Sequence, residues 1–195
     1  MTEEKMLEVK PITKHFADLE LVRELNNSEF PRNERMPVWM LLRMTKTKKG
    51  IADFMAFYDD DLFVGFISLF TIGNLTYVAL LAVNSNIQSK GYGSRILGYV
   101  KTLYPDNRVT INIEVLDENA ANNKQRKRRR AFYYKNGYES SGIILKMVGP
   151  ALEVLISCGS TISKDELFTI AKAMYGTFTY IVMRPFSRIT SVSYK

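Results

Sequence analysis

The sequence predicts a mixed α/β protein, and three observations predict it. Apolar or alternating runs of strand length recur along the 195 residues, among them Leu62 to Phe70, Leu75 to Val83 and Leu152 to Ser157. Between them lie segments with apolar residues at helical spacing, such as Ile96, Leu97, Val100, Leu103 and Tyr104. Glycine, proline and aspartate clusters mark the changes of period, as at Asp59-Asp60-Asp61 and Gly149-Pro150. A composition of 46% apolar and 12% aromatic residues excludes a disordered chain, and the length favours one domain with a sizeable core.

Taken in order, Leu7 to Pro11 reads as a short strand and His15 to Leu25 as a helix with Phe16, Leu19, Val22 and Leu25 on one face. Pro31 and Pro37 bracket a polar loop, and Pro37 suits the first turn of a helix beginning over Val38 to Met44. Phe54 to Tyr58 and Leu62 to Phe70 form a hairpin around the three aspartates. Leu75 to Val83 is the central strand, followed by a polar loop containing Gly91 and Gly93 and then the Ile96 to Tyr104 helix. Val109 to Leu116 is a strand. The next helix carries Ala131, Phe132 and Lys135 and stops at Asn136-Gly137, because glycine tolerates the left-handed C′ conformation.

Tyr138 restarts a strand, Ile143 to Val148 forms one, and Gly149-Pro150 turns the chain into Leu152 to Ser157. Ser163-Lys164-Asp165-Glu166 is a capping box for a helix with Leu167, Ile170, Ala171, Met174 and Tyr175 on its apolar face. Tyr180 to Met183 and Ile189 to Val192 read as edge strands. No internal repeat is visible, so residues 1–195 are expected to form a single domain, with 159–195 as a C-terminal extension. That extension reads as a packing cap, a wall of the substrate site or a dimer contact, which leaves monomer and homodimer both open.

The charged, alternating start Met1 to Met6 does not resemble an export signal, and the apolar run Leu62 to Ile72 is shorter than the roughly 17 residues a bilayer needs. No membrane partner is therefore expected. The single cysteine, Cys158, cannot form an internal disulfide, so the chain reads as cytoplasmic. Cys158 reads as a packing residue rather than a nucleophile, because the one histidine, His15, lies in the first helix.

The central strand, the glycine loop and the helix after it together carry chemistry. Backbone N–H groups at a helix start carry partial positive charge and lack partners, so such a junction is a ready anion site. The dinucleotide fingerprint needs a third glycine where Ile96 stands, and the nucleotide-hydrolase loop needs a Gly-Lys-Ser/Thr that is absent. What remains, Gln88-x-x-Gly91-x-Gly93, admits a structural turn as well as a phosphate loop. A second segment, Arg130-Ala131-Phe132-Tyr133-Tyr134-Lys135-Asn136-Gly137-Tyr138, follows in sequence with a strand between the two.

In that order the two segments resemble the signatures of the GNAT superfamily of N-acetyltransferases, and the resemblance covers about Leu7 to Ser157. It implies a mostly antiparallel twisted sheet with a splayed parallel central strand pair, flanked by helices. It also implies acetyl-CoA as acyl donor and no metal. The pantetheine arm would pair with the backbone of Leu81, Ala82 and Val83, and the pyrophosphate would meet Gln88, Ser89, Lys90, Gly91, Tyr92, Gly93 and Ser94. An acceptor amine would attack the thioester directly.

Alignment of amine and thioester is worth roughly 7 to 11 kcal/mol, and a positioned acid or base contributes on the order of 10² to 10⁴ in rate. Tyr133 matches the family's tyrosine acid, with Tyr134 the alternative if the helix register shifts by one. The usual carboxylate on the central strand is missing from Tyr77 to Leu81. Glu114, in Ile111-Asn112-Ile113-Glu114-Val115, is the candidate base, its alternative role being a salt bridge to a nearby arginine.

The run Lys124-Gln125-Arg126-Lys127-Arg128-Arg129-Arg130, in a chain of net charge +7, must be solvated or meet anions. It reads as coenzyme steering, a solvated face or a polyanion site, and nucleic acid is the least favoured since no recognition motif accompanies it. Acceptor recognition falls to Glu29, Phe30 and Glu34, though Glu29 and Glu34 could instead pair with Arg32 and Arg35. The Phe30-Pro31-x-x-Glu34-Arg35 stretch resembles poorly described bacterial members of the family. The leading function is acetylation of a primary amine on a small molecule. The alternatives are a protein amine acetyltransferase and a nonenzymatic module that binds CoA or RNA.

Overall fold

The alternation of strand and helix periods is realised in a computed structural model that describes residues 6–30, 35–47, 50–87, 90–146, 150–157, 159–176 and 188–191. In chain order the elements are β1 (Glu8–Pro11), α1 (Leu19–Glu29), α2 (Val38–Thr47), β2 (Ala52–Asp59), β3 (Leu62–Ile72) and β4 (Leu75–Val83). They continue with α3 (Tyr92–Leu103), β5 (Arg108–Glu114), α4 (Asn123–Lys135), β6 (Tyr138–Lys146), β7 (Leu152–Ser157), α5 (Lys164–Tyr175) and β8 (Arg188–Ser191). Backbone packing groups them into two compact units, Met1–Gly73 with Val78–Asn107 and Asn74–Tyr77 with Arg108–Lys195.

In the first unit the strands run in the order β1-β2-β3-β4, with β1 antiparallel to β2 and β2 to β3. β2 is almost continuously buried because helices cover both of its faces. Phe54, Ala56 and Tyr58 pack with Val22 and Leu25 of α1 and Val38 and Leu41 of α2, while Phe57 meets Tyr99 of α3 edge-on at 5.4 Å. Helix α1 begins at Leu19 and ends at Glu29, later at both ends than the His15 to Leu25 expectation. The displacement has a local cause. The chain from Thr13 to Phe16 is spent on a turn, and the Asp18 carboxylate before the helix accepts from the Tyr58 hydroxyl at 2.6 Å rather than capping.

The second unit orders its strands β5-β7-β6-β8 with the first residues of β4 beside β5, and each of its pairs β5–β7, β6–β7 and β6–β8 is antiparallel. The chain is thus mixed α/β with mostly antiparallel strand pairing and flanking helices, as the sequence implied. β6 runs unbroken from Tyr138, where two strand pieces were expected. A register shift between Ser140 and Ile144, with Gly142 at φ 73°, accommodates the interruption as a bulge. Cys158 and the Tyr180 to Met183 strand lie outside the described residues. Among the described residues no helix is long and apolar enough to cross a membrane.

Helix α5 opens on the expected capping box, Ser163 Oγ accepting from the Glu166 N–H and Glu166 Oε2 accepting from the Ser163 N–H at 2.8 Å. Glu166 Oε1 also pairs with Arg108 Nη2 at 2.5 Å, and Arg108 Nη1 donates to the Thr161 carbonyl. These contacts, led by the Arg108 hydrogen bond, hold the Glu166 carboxyl down at about 2. A depressed folded value stabilises above the unfolded value of about 4.3 and is lost as pH falls toward 2. Ser163→Ala is expected to cost about 1 kcal/mol and to speed amide exchange in the first turn of α5, as read by hydrogen exchange.

Candidate functional site

In the first unit the site is built from where β4 is forced to end. Phe57 pairs with Gly65 and Tyr58 with Phe63, leaving Val64 as an extra residue in a bulge of β3. Gly65 lies so tightly against the Ala82 carbonyl that a Cβ would collide with it, and the Val64 carbonyl accepts from the Asn84 N–H at 3.0 Å. The bulge and the missing side chain together fix the exit of β4. Sequence reasoning assigned Gly65 no role, although an isolated glycine in a strand signals close backbone approach.

The loop that follows is pinned at its start. Asn84 Oδ1 accepts from the Asn86 N–H at 3.0 Å and Glu29 Oε1 from the Ser85 N–H at 3.2 Å. Gly91 then takes the left-handed conformation, φ 77°, as the N-cap of α3, whose first intrahelical bond is Arg95 N–H to the Gly91 carbonyl at 3.0 Å. A Cβ on Gly91 would touch nothing, so it is the backbone angle that calls for glycine. Glycine also brings no capping side chain, and among the described residues no side chain caps the N–H groups at this helix start.

The Tyr92 side chain is buried, its hydroxyl donating to Asp59 Oδ2 at 2.7 Å, and this hydrogen bond raises its pKa above the ordinary phenol value. Arg95 sits 5.3 Å from the Tyr92 ring centroid and 3.7 Å from Asp59. The Tyr92 side chain is therefore committed within the unit. Asp59, read from the sequence as a turn residue, locks the end of β2 to the start of α3. Lys90 is exposed, Leu81 and Val83 are half-buried, Ala82 is buried, and Gln88 and Ser89 lie outside the described residues.

Around the connection between α1 and α2, Phe30 packs against the core cluster, and Glu34 lies outside the described residues. Arg35 hydrogen-bonds Asn27 and the Phe30 carbonyl, capping the end of α1 as a cation can. Buried Asn26 fixes the other side through the Met36 carbonyl at 3.1 Å.

In the second unit, α4 places Tyr133 inward, 6% exposed, its ring edge-on to Tyr138 at 5.8 Å and to Phe132 at 5.1 Å. Burial pushes the Tyr133 hydroxyl up to about 12, so it is a neutral O–H at any physiological pH. Tyr134 is exposed, donor-bonded by Arg130 at 2.8 Å and facing its guanidinium at 5.1 Å. The two tyrosines that the sequence left open thus differ sharply in burial. Burial likewise raises Tyr77, whose hydroxyl accepts from Asn112 Nδ2 at 3.1 Å.

Glu114, the candidate base, is 6% exposed and fully engaged. Its oxygens meet Arg126 at 2.8 Å and Arg129 at 3.5 Å, and Asn122 donates to both at 3.3 and 3.2 Å. The salt bridge weighed against the base role is therefore present, doubled, and it ties β5 to α4. Arg130 similarly meets buried Glu153 of β7 at 3.4 Å. Half of the cationic run is thus consumed inside the unit. Arg126, Arg129 and Tyr133 fall on one helical stripe, so the Glu114 clamp also sets where Tyr133 points.

Comparison with known proteins bears on these two sites. Residues 51–140 match the model of the acetyltransferase (GNAT) domain, a stretch that contains both sequence signatures. None of the curated proteins matches the sequence significantly. Among solved structures, a protein assigned to the GNAT acetyltransferase family from Bacteroides thetaiotaomicron is similar at TM-score 0.70 and 21% identity, covering 87% of this chain and 99% of its own. The PaiA N-acetyltransferase of Thermoplasma acidophilum, solved in complex with coenzyme A, is similar at TM-score 0.58 and 16% identity over 78% of this chain and 99% of its own. The aminoglycoside 6'-N-acetyltransferase of Enterococcus faecium is similar at TM-score 0.58 and 15% identity over 77% and 96%. These likenesses establish the fold, and the match over 51–140 bears out the GNAT resemblance of the two signatures.

Proposed function

We propose, from the GNAT acetyltransferase domain in residues 51–140 as premise, that this protein transfers an acetyl group from acetyl-CoA to a primary amine of a small molecule. The observation that carries the reading is the left-handed Gly91 at the uncapped start of α3. The N–H groups of Tyr92, Gly93 and Ser94, with Gln88, Ser89 and Lys90, take the coenzyme's diphosphate, whose charge the helix dipole favours. The backbone of Leu81, Ala82 and Val83 pairs with the pantetheine arm. Glu29, Phe30 and Glu34 meet the acceptor, whose nitrogen lone pair attacks the thioester carbonyl. As the tetrahedral adduct collapses, the C–S bond breaks, the amine nitrogen gives one proton to solvent water and the thiolate takes one.

Tyr133 is the proposed donor to the thiolate, and its raised pKa keeps the proton available. Glu114 is assigned the positioning of α4 rather than proton removal, because its lone pairs are committed to two arginines and Asn122. Incubation with acetyl-CoA and a panel of polyamines, aminoglycosides and amino acids, read by thiol release, tests the function. Release that requires both acetyl-CoA and one amine supports it, and no release with any amine contradicts it. Tyr133→Phe is expected to lower kcat by about 10² to 10⁴ with little change in KM for acetyl-CoA. Any alkaline fall owed to Tyr133 lies near pH 12, so turnover equal to the parent across the pH profile would remove the acid role.

A further inference from the structure

The outer face of α4 bears cations, most of which have no ion pair among the described residues. Arg126, Arg129 and Arg130 turn inward to Glu114 and Glu153, which fixes the rotation of the helix. Lys124, Lys127, Arg128, Ala131, Tyr134 and Lys135 are then presented together as one exposed stripe. Lys127 meets Glu118 at 2.8 Å in a pair exposed on both sides, while Lys124, Arg128 and Lys135 have no ion pair among the described residues.

An ordinary solvated helix face interleaves acids with its bases, yet Asn123–Lys135 contains none. Lys124 and Arg128 stand one turn apart with like charge, and Lys124 sits in the first turn, where the helix dipole disfavours a cation. Each choice weakens the isolated helix, and neither Lys124 nor Arg128 has an ion pair in return among the described residues. A local rule broken without compensation marks a functional surface.

We propose that this stripe binds the backbone of a single-stranded nucleic acid. From Lys124 to Lys135 it extends about 16 Å at the α-helical rise, longer than one diphosphate and suited to successive phosphates. Tyr134, 40% exposed with Arg130 at its ring, adds a platform on which a base can stack. The face lacks the apolar centre that a protein partner or a lipid surface would bury.

The test is fluorescence anisotropy with a labelled RNA of about twenty nucleotides, titrated across a salt series. Binding with a log–log salt slope of about −2 to −3, set by three to four phosphate contacts, is expected. The triple variant Lys124→Gln, Arg128→Gln and Lys135→Gln should bind at least tenfold more weakly with a shallower slope, its fold checked by thermal melting. Lys46→Gln, on α2 of the other unit, should bind as the parent does. The proposal is overturned by no binding at low salt, by a triple variant that binds like the parent, or by acetyl-CoA displacing the RNA, which would return the stripe to the coenzyme. Equal or tighter binding of polyglutamate or of anionic lipid vesicles would overturn it as well.

Discussion

Gly91→Glu is expected to lower acetyl-CoA affinity at least a hundredfold, about 2.7 kcal/mol, while the protein still folds. Two effects combine. A side chain at φ 77° forces an L-residue into the left-handed region, costing roughly 1 to 2 kcal/mol, though no neighbouring atom obstructs the Cβ. The introduced carboxylate then stands where the diphosphate is proposed to bind and can itself satisfy the N–H groups of Tyr92 to Ser94. The same carboxylate favours the positive end of α3, so part of the strain is offset and the melting temperature should fall by only a few degrees. Gly91→Ala carries the strain without the charge. Calorimetric titration of both variants is expected to show a far larger loss for glutamate, and equal losses would assign the effect to loop geometry alone.

Glu114→Leu should destabilise the protein by about 3 to 5 kcal/mol, because it leaves Arg126 and Arg129 without the carboxylate that holds them. The Arg126 side chain is only 12% exposed, so water offers it little in return. Arg129, more exposed at 32%, contributes the smaller share. A double-mutant cycle with Arg126→Leu separates pairing from simple loss of a charge, and the double variant is expected to recover much of the stability. If Glu114 were instead the general base, Glu114→Gln would abolish turnover and leave the melting temperature untouched. Denaturation measured beside kcat distinguishes the two outcomes.

These expectations show where the sequence was legible. β7 and α5 matched the structure closely because turn signals bound them: Gly149-Pro150 and the Ser163 capping box. α4 stopped at Asn136-Gly137 for the reason expected, Gly137 standing at φ 79°. α1 was misplaced because the partner of Asp18 is Tyr58, forty positions away, and no local pattern announces such a bond. The fate of Glu114 was open for the same reason. An acid in an apolar strand signals either a wet cleft or a buried partner, and only the packing of α4 on β5 decides between them. Gly65 escaped notice because its role lies in the carbonyl of another strand. The glycine loop, by contrast, is a short-range feature in which strand, glycine and helix start are contiguous, and such features survive in the sequence.

The most direct test of the central claim is a nitrogen-15 amide spectrum of the protein titrated with acetyl-CoA. The N–H resonances of Tyr92, Gly93 and Ser94 are predicted to shift saturably and more than those elsewhere on α3. Amides at these three positions that stay unmoved at millimolar acetyl-CoA would contradict the account.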